Sequence, residues 1–326
     1  MTITVADRIL GCLCGIATGD AIGKQTEMLS PSDIEHWYPG SIRGFEGTPG
    51  DVILRYATNS KRQWLIGETT DDTERTLAVA RAVLADRRVS HVSVGREMLG
   101  CTKCVHRGVR SLWEFHQAAD PARIATEHDG CGAAIRVAPV GTLYPSEALD
   151  ALVTGAFEAS ISTHGGSLAL AAAAATASAV SAALDGADRD RVFNRAEEAA
   201  GLSERRWPGA SAFAFTTALR RVRDDLASLP VLRAADVAAR GFPESPLTIV
   251  PLALALATLM ESSEEAILLA ANVGGDSDSV ASIAGGILGA MHPDTVNREW
   301  RDVVESVNGH SLKAVAGELA RLRNQS

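Results

Sequence analysis

A chain of 326 residues with a net charge of −9 and no basic stripe is poorly suited to bind nucleic acid, whose phosphates recruit lysine and arginine. Its length can bury a substantial core, as one large domain or two. Apolar residues make up 46% but aromatics only 5%; strand-forming clusters are scarce and alanine and leucine abundant, so an all-α fold is expected.

The opening residues hold a single early arginine and an apolar stretch broken at Asp20, which is not the order of a secretory leader. Five cysteines (Cys12, Cys14, Cys101, Cys104 and Cys131) form an odd set, expected as reduced thiols in a cytoplasmic setting.

Residues 6–23 read as a helix of small and apolar residues, in which Gly11, Gly15 and Gly19 let another backbone come close. Gly19-Asp20-Ala21-Ile22-Gly23-Lys24-Gln25-Thr26-Glu27 follows, and a carboxylate buried here needs a partner. Asp20 is expected to cap a neighbouring helix, while Glu27 is open between a solvent-facing role and a site role. From Ser30 to Gly67 the chain reads as irregular, interrupted by Pro31, Pro39-Gly40, Gly44, Gly47 and Pro49-Gly50. So long a loop is often functional. Arg43, Arg55, Lys61 and Arg62 are expected as solvated charges, with an anionic ligand as the alternative.

The next helix opens at Gly67-Glu68-Thr69-Thr70-Asp71-Asp72-Thr73-Glu74 and continues to about Leu84, with Thr70 as N-cap and acids suited to the helix dipole. Asp71 and Asp72 project in different directions, so one can serve a site while the other braces. Cys101, Cys104 and His106 have zinc-like spacing without a second pair, and ordinary thiols are expected. His128-Asp129-Gly130-Cys131-Gly132 is a glycine-flanked turn leading into a helix; its amides can receive phosphate or ribose oxygens, or simply join two helices.

Ser162-Thr163-His164 precedes Gly165-Gly166 and an alanine-rich helix from Leu168 to Leu184. That stretch approaches the length of a membrane span, but its Ala, Ser and Thr content suits a close-packed helix; no membrane association is expected. Leu247–Met260 is too short to span. His164 is expected to be hydrogen-bonded at the helix start. Residues 186–240 and 293–326 read as amphipathic helices with solvated charged faces.

Ser263-Glu264-Glu265 starts a further helix that Gly274-Gly275 stops. Another should begin within Asp276–Ser279 and run to about Met291. Asp276, Asp278 and the Ser279 hydroxyl offer hard oxygen donors from a rigid turn, suited to Mg²⁺, Mn²⁺ or Ca²⁺ rather than zinc. The alternative is an ordinary N-cap at Asp276.

Three acidic patches stand in order: Gly-Asp-x-x-Gly-x-x-x-Glu at 19–27, Thr-Asp-Asp-Thr at 70–73 and Gly-Gly-Asp-Ser-Asp-Ser at 274–279. With the glycine turn ending in Ile135-Arg136-Val137-Ala138-Pro139 and the Ser162-Thr163-His164 element, the set resembles the ADP-ribosylglycohydrolase family, from about Ala6 to Met291. The resemblance implies a compact multi-helix fold in a single domain spanning 1–326, with two Mg²⁺ (or Mn²⁺) in a cleft. By position, Thr70, Asp71, Asp72, Asp276, Asp278 and Ser279 correspond to the metal ligands. Glu27, with Asp71 and Asp278, falls on the catalytic side. Glu27, Gly130, Cys131, Gly132 and His164 fall where relatives contact the ADP-ribose.

Two departures stand out. Ser279 sits where relatives usually have threonine, and Cys131 where they commonly have asparagine. The resemblance implies a hydrolase cleaving the N-glycosidic (or O-glycosidic) bond of ADP-ribose on a protein side chain or small acceptor. The alternatives are a hydrolase of a smaller ribosyl compound such as a nucleoside, or a non-catalytic ADP-ribose-binding or structural relative.

Overall fold

The computed structural model describes residues 3–58, 62–103, 123–210 and 213–325. Helices carry the chain, and among the described residues the β structure is a single isolated bridge, Val52 to Leu65. The all-α expectation holds.

Helix α1 (Val5–Gly23) begins at a Thr4–Asp7 capping box. Then come α2 (Pro31–Trp37), α3 (Asp71–Asp86), α4 (His91–Met98), α5 (Ala138–Leu143) and α6 (Leu149–Ser160). The alanine-rich α7 (Ser167–Leu184) is followed by the amphipathic α8 (Arg189–Arg206), α9 (Ala214–Ala227) and α10 (Ala234–Gly241). Apolar α11 (Ile249–Leu259) leads to α12 (Ser263–Val273) and α13 (Ser277–Met291), and α14 (Arg298–Asn308) and α15 (Leu312–Arg323) end the chain.

The organising pair is α1 against α13. A Cβ added at Gly11 would stand 2.1 Å from the Gly289 carbonyl oxygen, at Gly15 2.1 Å from that of Gly285, and at Gly19 2.3 Å from that of Ala281. The partners descend as α1 ascends, so the helices run antiparallel with backbones in contact. At the last step, a Cβ on Gly23 would meet the Asp278 Cα at 2.5 Å. This ladder delivers the Asp20–Glu27 segment to the start of α13. Any side chain at these glycines would wedge the two segments apart.

Helix α7 is long and apolar enough to cross a membrane, but 89% of it is buried inside the molecule. Small side chains let α6, α8 and α13 pack around it. The boundaries of α3, α12 and α13 fall within two residues of those read from sequence, and Gly274 and Gly275, at φ +83 and +64, supply the left-handed backbone that ends α12.

The 30–67 stretch corrects the sequence reading. Ser30 and Asp33 form a capping box with Pro31 in the first turn, so Pro31 starts a helix where it was read as a breaker. Further on, Ile53, Trp64 and Ile66 make their own small core with Phe45 and Tyr56. Arg55 and Arg62 are not solvated charges: Arg55 donates to the carbonyls of Gln25 and Lys24 at 2.9 and 3.0 Å, and Arg62 pairs with Glu68 at 2.8 Å. Arg43 is exposed as expected; Lys61 lies outside the described residues.

Candidate active site

One cleft of about 530 Å³ opens where α1, α3, the glycine turn and α13 converge. Glu27, Asp71, Asp72, Gly130, Cys131, Gly132, His164, Asp276, Asp278 and Ser279 all line it, as residues from both ends of the chain. Of the sequence-predicted site residues, Thr70 alone stands behind the wall. It is the N-cap of α3, accepting from the Asp72 amide at 3.3 Å and facing Asp72 Oδ2 at 3.4 Å.

The start of α3 is held from behind. Asp20, fully buried, accepts the Thr70 amide at 2.8 and 2.9 Å and the Thr73 amide at 3.0 Å, capping the helix as expected. Asn308, at the end of α14, receives the Thr69 amide at 3.0 Å and donates to the Gly67 carbonyl at 2.8 Å. These groups fix where Asp71 and Asp72 project.

The carboxylates at the cleft are crowded. Asp72 is 3% exposed and its Oδ1 has no hydrogen-bond partner. Burial pushes its carboxyl well above the ordinary range, and Asp20, Asp71 and Asp276 push it further. Asp278 is raised the same way by burial, then by Glu27, Asp276 and Asp72, with Lys24 opposing. Asp276 stands at the N-cap position of α13 but makes no side-chain cap bond. An ordinary cap is therefore not what its carboxylate does; its Oδ2 accepts from the Cys131 thiol at 3.3 Å.

This donor set fits hard divalent cations. Buried carboxyl oxygens repel each other, one lacks any partner, and two hydroxyls, Thr70 and Ser279, stand beside them. As they stand, no three His, Cys, Asp or Glu side chains among the described residues enclose a point as they would around one ion. Cys104 and His106 lie outside the described residues, and Cys12, Cys14, Cys101 and Cys131 are free thiols.

Glu27 sits at the rim beside Lys24, with which it forms an ion pair. Lys24 is 5% exposed, and its ammonium lies 4.4 Å from the Trp64 ring centroid. Burial alone would lower its pKa, yet Asp278, Glu27 and Tyr56 hold it raised. The Tyr56 hydroxyl reaches Glu27 Oε2 at 3.4 Å, and Arg55 donates to that hydroxyl at 2.5 Å. Arg55, Tyr56 and Trp64 thus surround the Lys24–Glu27 pair.

The opposite wall is formed by the glycine turn and His164. A Cβ on Gly132 would meet the His164 ring at 2.8 Å, so only glycine lets the imidazole lie against the turn. Arg136, wholly buried, ties this wall together: it donates to the carbonyls of Gly132, Ala159 and Ser160 at 2.8, 2.9 and 3.0 Å, and to Thr163 Oγ1 at 2.7 Å. Burial lowers its pKa to about 9, so it remains a cation at neutral pH. Thr163 Oγ1 lies 2.7 Å from His164 Nδ1 and 3.5 Å from the Ser160 carbonyl. Arg136 donates into the same hydroxyl, so Thr163 links the buried guanidinium to the imidazole and fixes the ring's position.

Sequence reasoning gave no role to Lys24, Tyr56, Arg75, Arg136 or Asn308. Arg75 lines the cleft and pairs with Asp71 at 3.2 Å, a one-turn spacing that was legible. Met28 also lines it, 77% exposed and at φ +62, beside the catalytic candidate Glu27. The others depend on contacts far apart in sequence.

The ADP-ribosylglycohydrolase family model matches residues 1–326. A solved structure described as an ADP-ribosylglycohydrolase-related protein complex aligns over 99% of this chain and 100% of its own, with a TM-score of 0.74 at 24% identity, which shows the fold. The uncharacterised protein YegU of Escherichia coli is 28% identical over 98% of both chains. The ADP-ribosyl-[dinitrogen reductase] glycohydrolase of Rhodospirillum rubrum is 27% identical over 42% of this chain and 44% of its own. Fold and family match together define a glycosidic hydrolase. The chain belongs to the ADP-ribosylglycohydrolase family, which acts on ADP-ribosylated proteins or small ribosyl substrates.

Proposed function

We propose that this chain hydrolyses the bond joining ADP-ribose to a protein side chain or small acceptor, with two divalent ions, Mg²⁺ or Mn²⁺, between α3 and α13. The supporting observation is the buried, partnerless Oδ1 of Asp72, in a cleft shared with Asp71, Asp276, Asp278 and Ser279. Those residues and Thr70 would hold the ions. When bound, the ions would supply Lewis-acid stabilisation of the ribose diol and orient the attacking water.

The protein's own groups divide the remaining work. Cleaving a ribosyl C–N or C–O bond builds positive charge at the anomeric carbon, which Asp71 and Asp278 offset. Glu27 takes the proton of the attacking water on Oε1 while Lys24 and Tyr56 anchor its Oε2. His164, with Nε2 presented beside Gly130 and Gly132, and the amides of the turn hold ribose or phosphate oxygens.

The test is release of ADP-ribose from arginine-linked, serine-linked and free-nucleotide substrates, each with Mg²⁺, Mn²⁺ or chelator. Metal-dependent release from any one supports the reading. A folded protein that releases none, yet cleaves a nucleoside, moves the assignment to smaller ribosyl compounds.

A further inference from the structure

Cys131 brings a thiol into a cleft where Asp71, Asp72, Asp276 and Asp278 supply oxygens. It opens the short 3₁₀ turn Cys131–Arg136, whose Gly132 packs on His164 and whose Arg136 is bonded to the corner behind it. Its thiol is therefore held by a rigid wall. Sγ stands 3.3 Å from Asp276 Oδ2 and 3.9 Å from Ser279 Oγ, both on the opposite wall. Asp276 and Asp72 are the charges that act on the thiol most strongly after burial. Asp72, 3% exposed and with an unpartnered Oδ1, lines the same cleft.

We infer that Cys131 supplies a sulfur ligand to the ion held by Asp276 and Ser279, making that position mixed oxygen–sulfur and receptive to a thiophilic divalent ion such as Co²⁺, Zn²⁺ or Cd²⁺. The inference rests on the metal reading proposed above. Oxygen donors alone, as Asp276 and Ser279 supply, would favour Mg²⁺ or Mn²⁺; a thiolate shifts preference towards softer ions. The exchange balances simply. The S–H proton leaves to solvent, the hydrogen bond to Asp276 Oδ2 is released, and a metal–sulfur bond forms while Asp276 turns its freed oxygen to the same ion. No oxidant or reductant is required.

The experiment is a cobalt titration of the full chain, followed by near-ultraviolet absorption, beside a thermal scan with Mn²⁺. Wild type should develop a thiolate-to-cobalt charge-transfer band. Cys131→Ser, and Cys131→Ala as a second variant in case serine disturbs the turn, should lose it. Cobalt affinity should fall about tenfold or more in both variants, with the affinity for Mg²⁺ changing about twofold or less. A band that survives in both variants comes from another thiol and overturns the inference. So does a wild type that Mn²⁺ stabilises but in which cobalt gives no band; that outcome leaves the proposed function intact. A wild type that neither ion stabilises removes the metal reading itself, and this inference with it.

Discussion

Asp20 and Asp72 meet the same helix end, the start of α3, and are hidden from water to nearly the same degree, 0% and 3% exposed. Asp20 uses both oxygens to accept from Thr70 and Thr73, including the Thr73 hydroxyl at 2.5 Å. Burial pushes it up to about 6, and those hydrogen bonds keep it from rising further. Asp72 has one oxygen without a partner and three carboxylates near it. A buried carboxylate that is fully bonded braces the fold; one left short is open to a further ligand, which the proposed function assigns to a divalent ion. Burial alone does not separate the two roles, and hydrogen-bond accounting does.

The largest effects fall on turnover. Glu27→Gln and Asp72→Asn should both keep the fold and lose roughly a hundredfold or more in rate, as expected for a proton-transfer group and an ion ligand. Circular dichroism and ADP-ribose release, measured together, check this. Wild-type-like rates for Asp72→Asn would place it with Asp20 as a brace and undo the contrast.

Stability should respond the other way. Asp20→Asn exchanges an acceptor for a donor facing Thr70 and Thr73, at a cost on the order of 2–4 kcal/mol. Asp72→Asn without metal should shift stability by no more than about 1 kcal/mol, because it leaves no protein donor stranded and relieves repulsion. Urea unfolding of both variants in chelator gives the comparison. Equal losses would mean that the orphan oxygen is of no consequence.

A smaller effect is the response to ions. At about a hundredfold excess over Kd, one bound ion adds roughly 2.7 kcal/mol to stability. Wild type should therefore melt visibly higher with Mg²⁺ or Mn²⁺ than with chelator. Asp278→Asn should lose most of that rise and can be the more stable protein without metal. A wild type indifferent to both ions would reduce α13 to an ordinary capped helix.

What was legible in the sequence follows the range of the interactions. The stop at Gly274-Gly275 and the restart at Ser277 depend on local backbone preference, and both lie where the pattern puts them. The four-residue spacing of Gly11, Gly15 and Gly19 announced a close helix contact, although nothing local named α13 as the partner. Ser30-Pro31-Ser32-Asp33 carried a capping-box pattern and was still read as irregular, because Pro31 was counted as a breaker. Lys24 was hidden for a different reason. Its partners Trp64 and Tyr56 belong to a small core with Phe45, Ile53 and Ile66, which no local pattern announces. Cys131 was legible as a departure, but its approach to Asp276 joins positions 145 apart.

The smallest prediction extends the contrast to a buried group outside the cleft that refuses charge. His310 stands behind the α3 start, with Nε2 at 3.3 Å from Thr69 Oγ1. Burial lowers its pKa from 6.5 to about 4; Lys103 and Arg81 add to the lowering and Glu74 opposes it. Above pH 6.5 the ring is neutral in both the folded and unfolded states, and its contribution to stability is fully present. As pH falls from 6.5 towards 4, the unfolded chain takes up a proton that the folded chain refuses, so stability is lost across that window. Below about 4 both states carry the proton and the loss is complete. His310→Gln keeps a polar group beside Thr69 but does not titrate, so its stability should fall less steeply between pH 6.5 and 4. The difference between the two proteins, read from urea midpoints at several pH values, should be the same with chelator as with Mn²⁺. Parallel curves for wild type and His310→Gln would show that this ring is protonated as readily in the folded protein as in water.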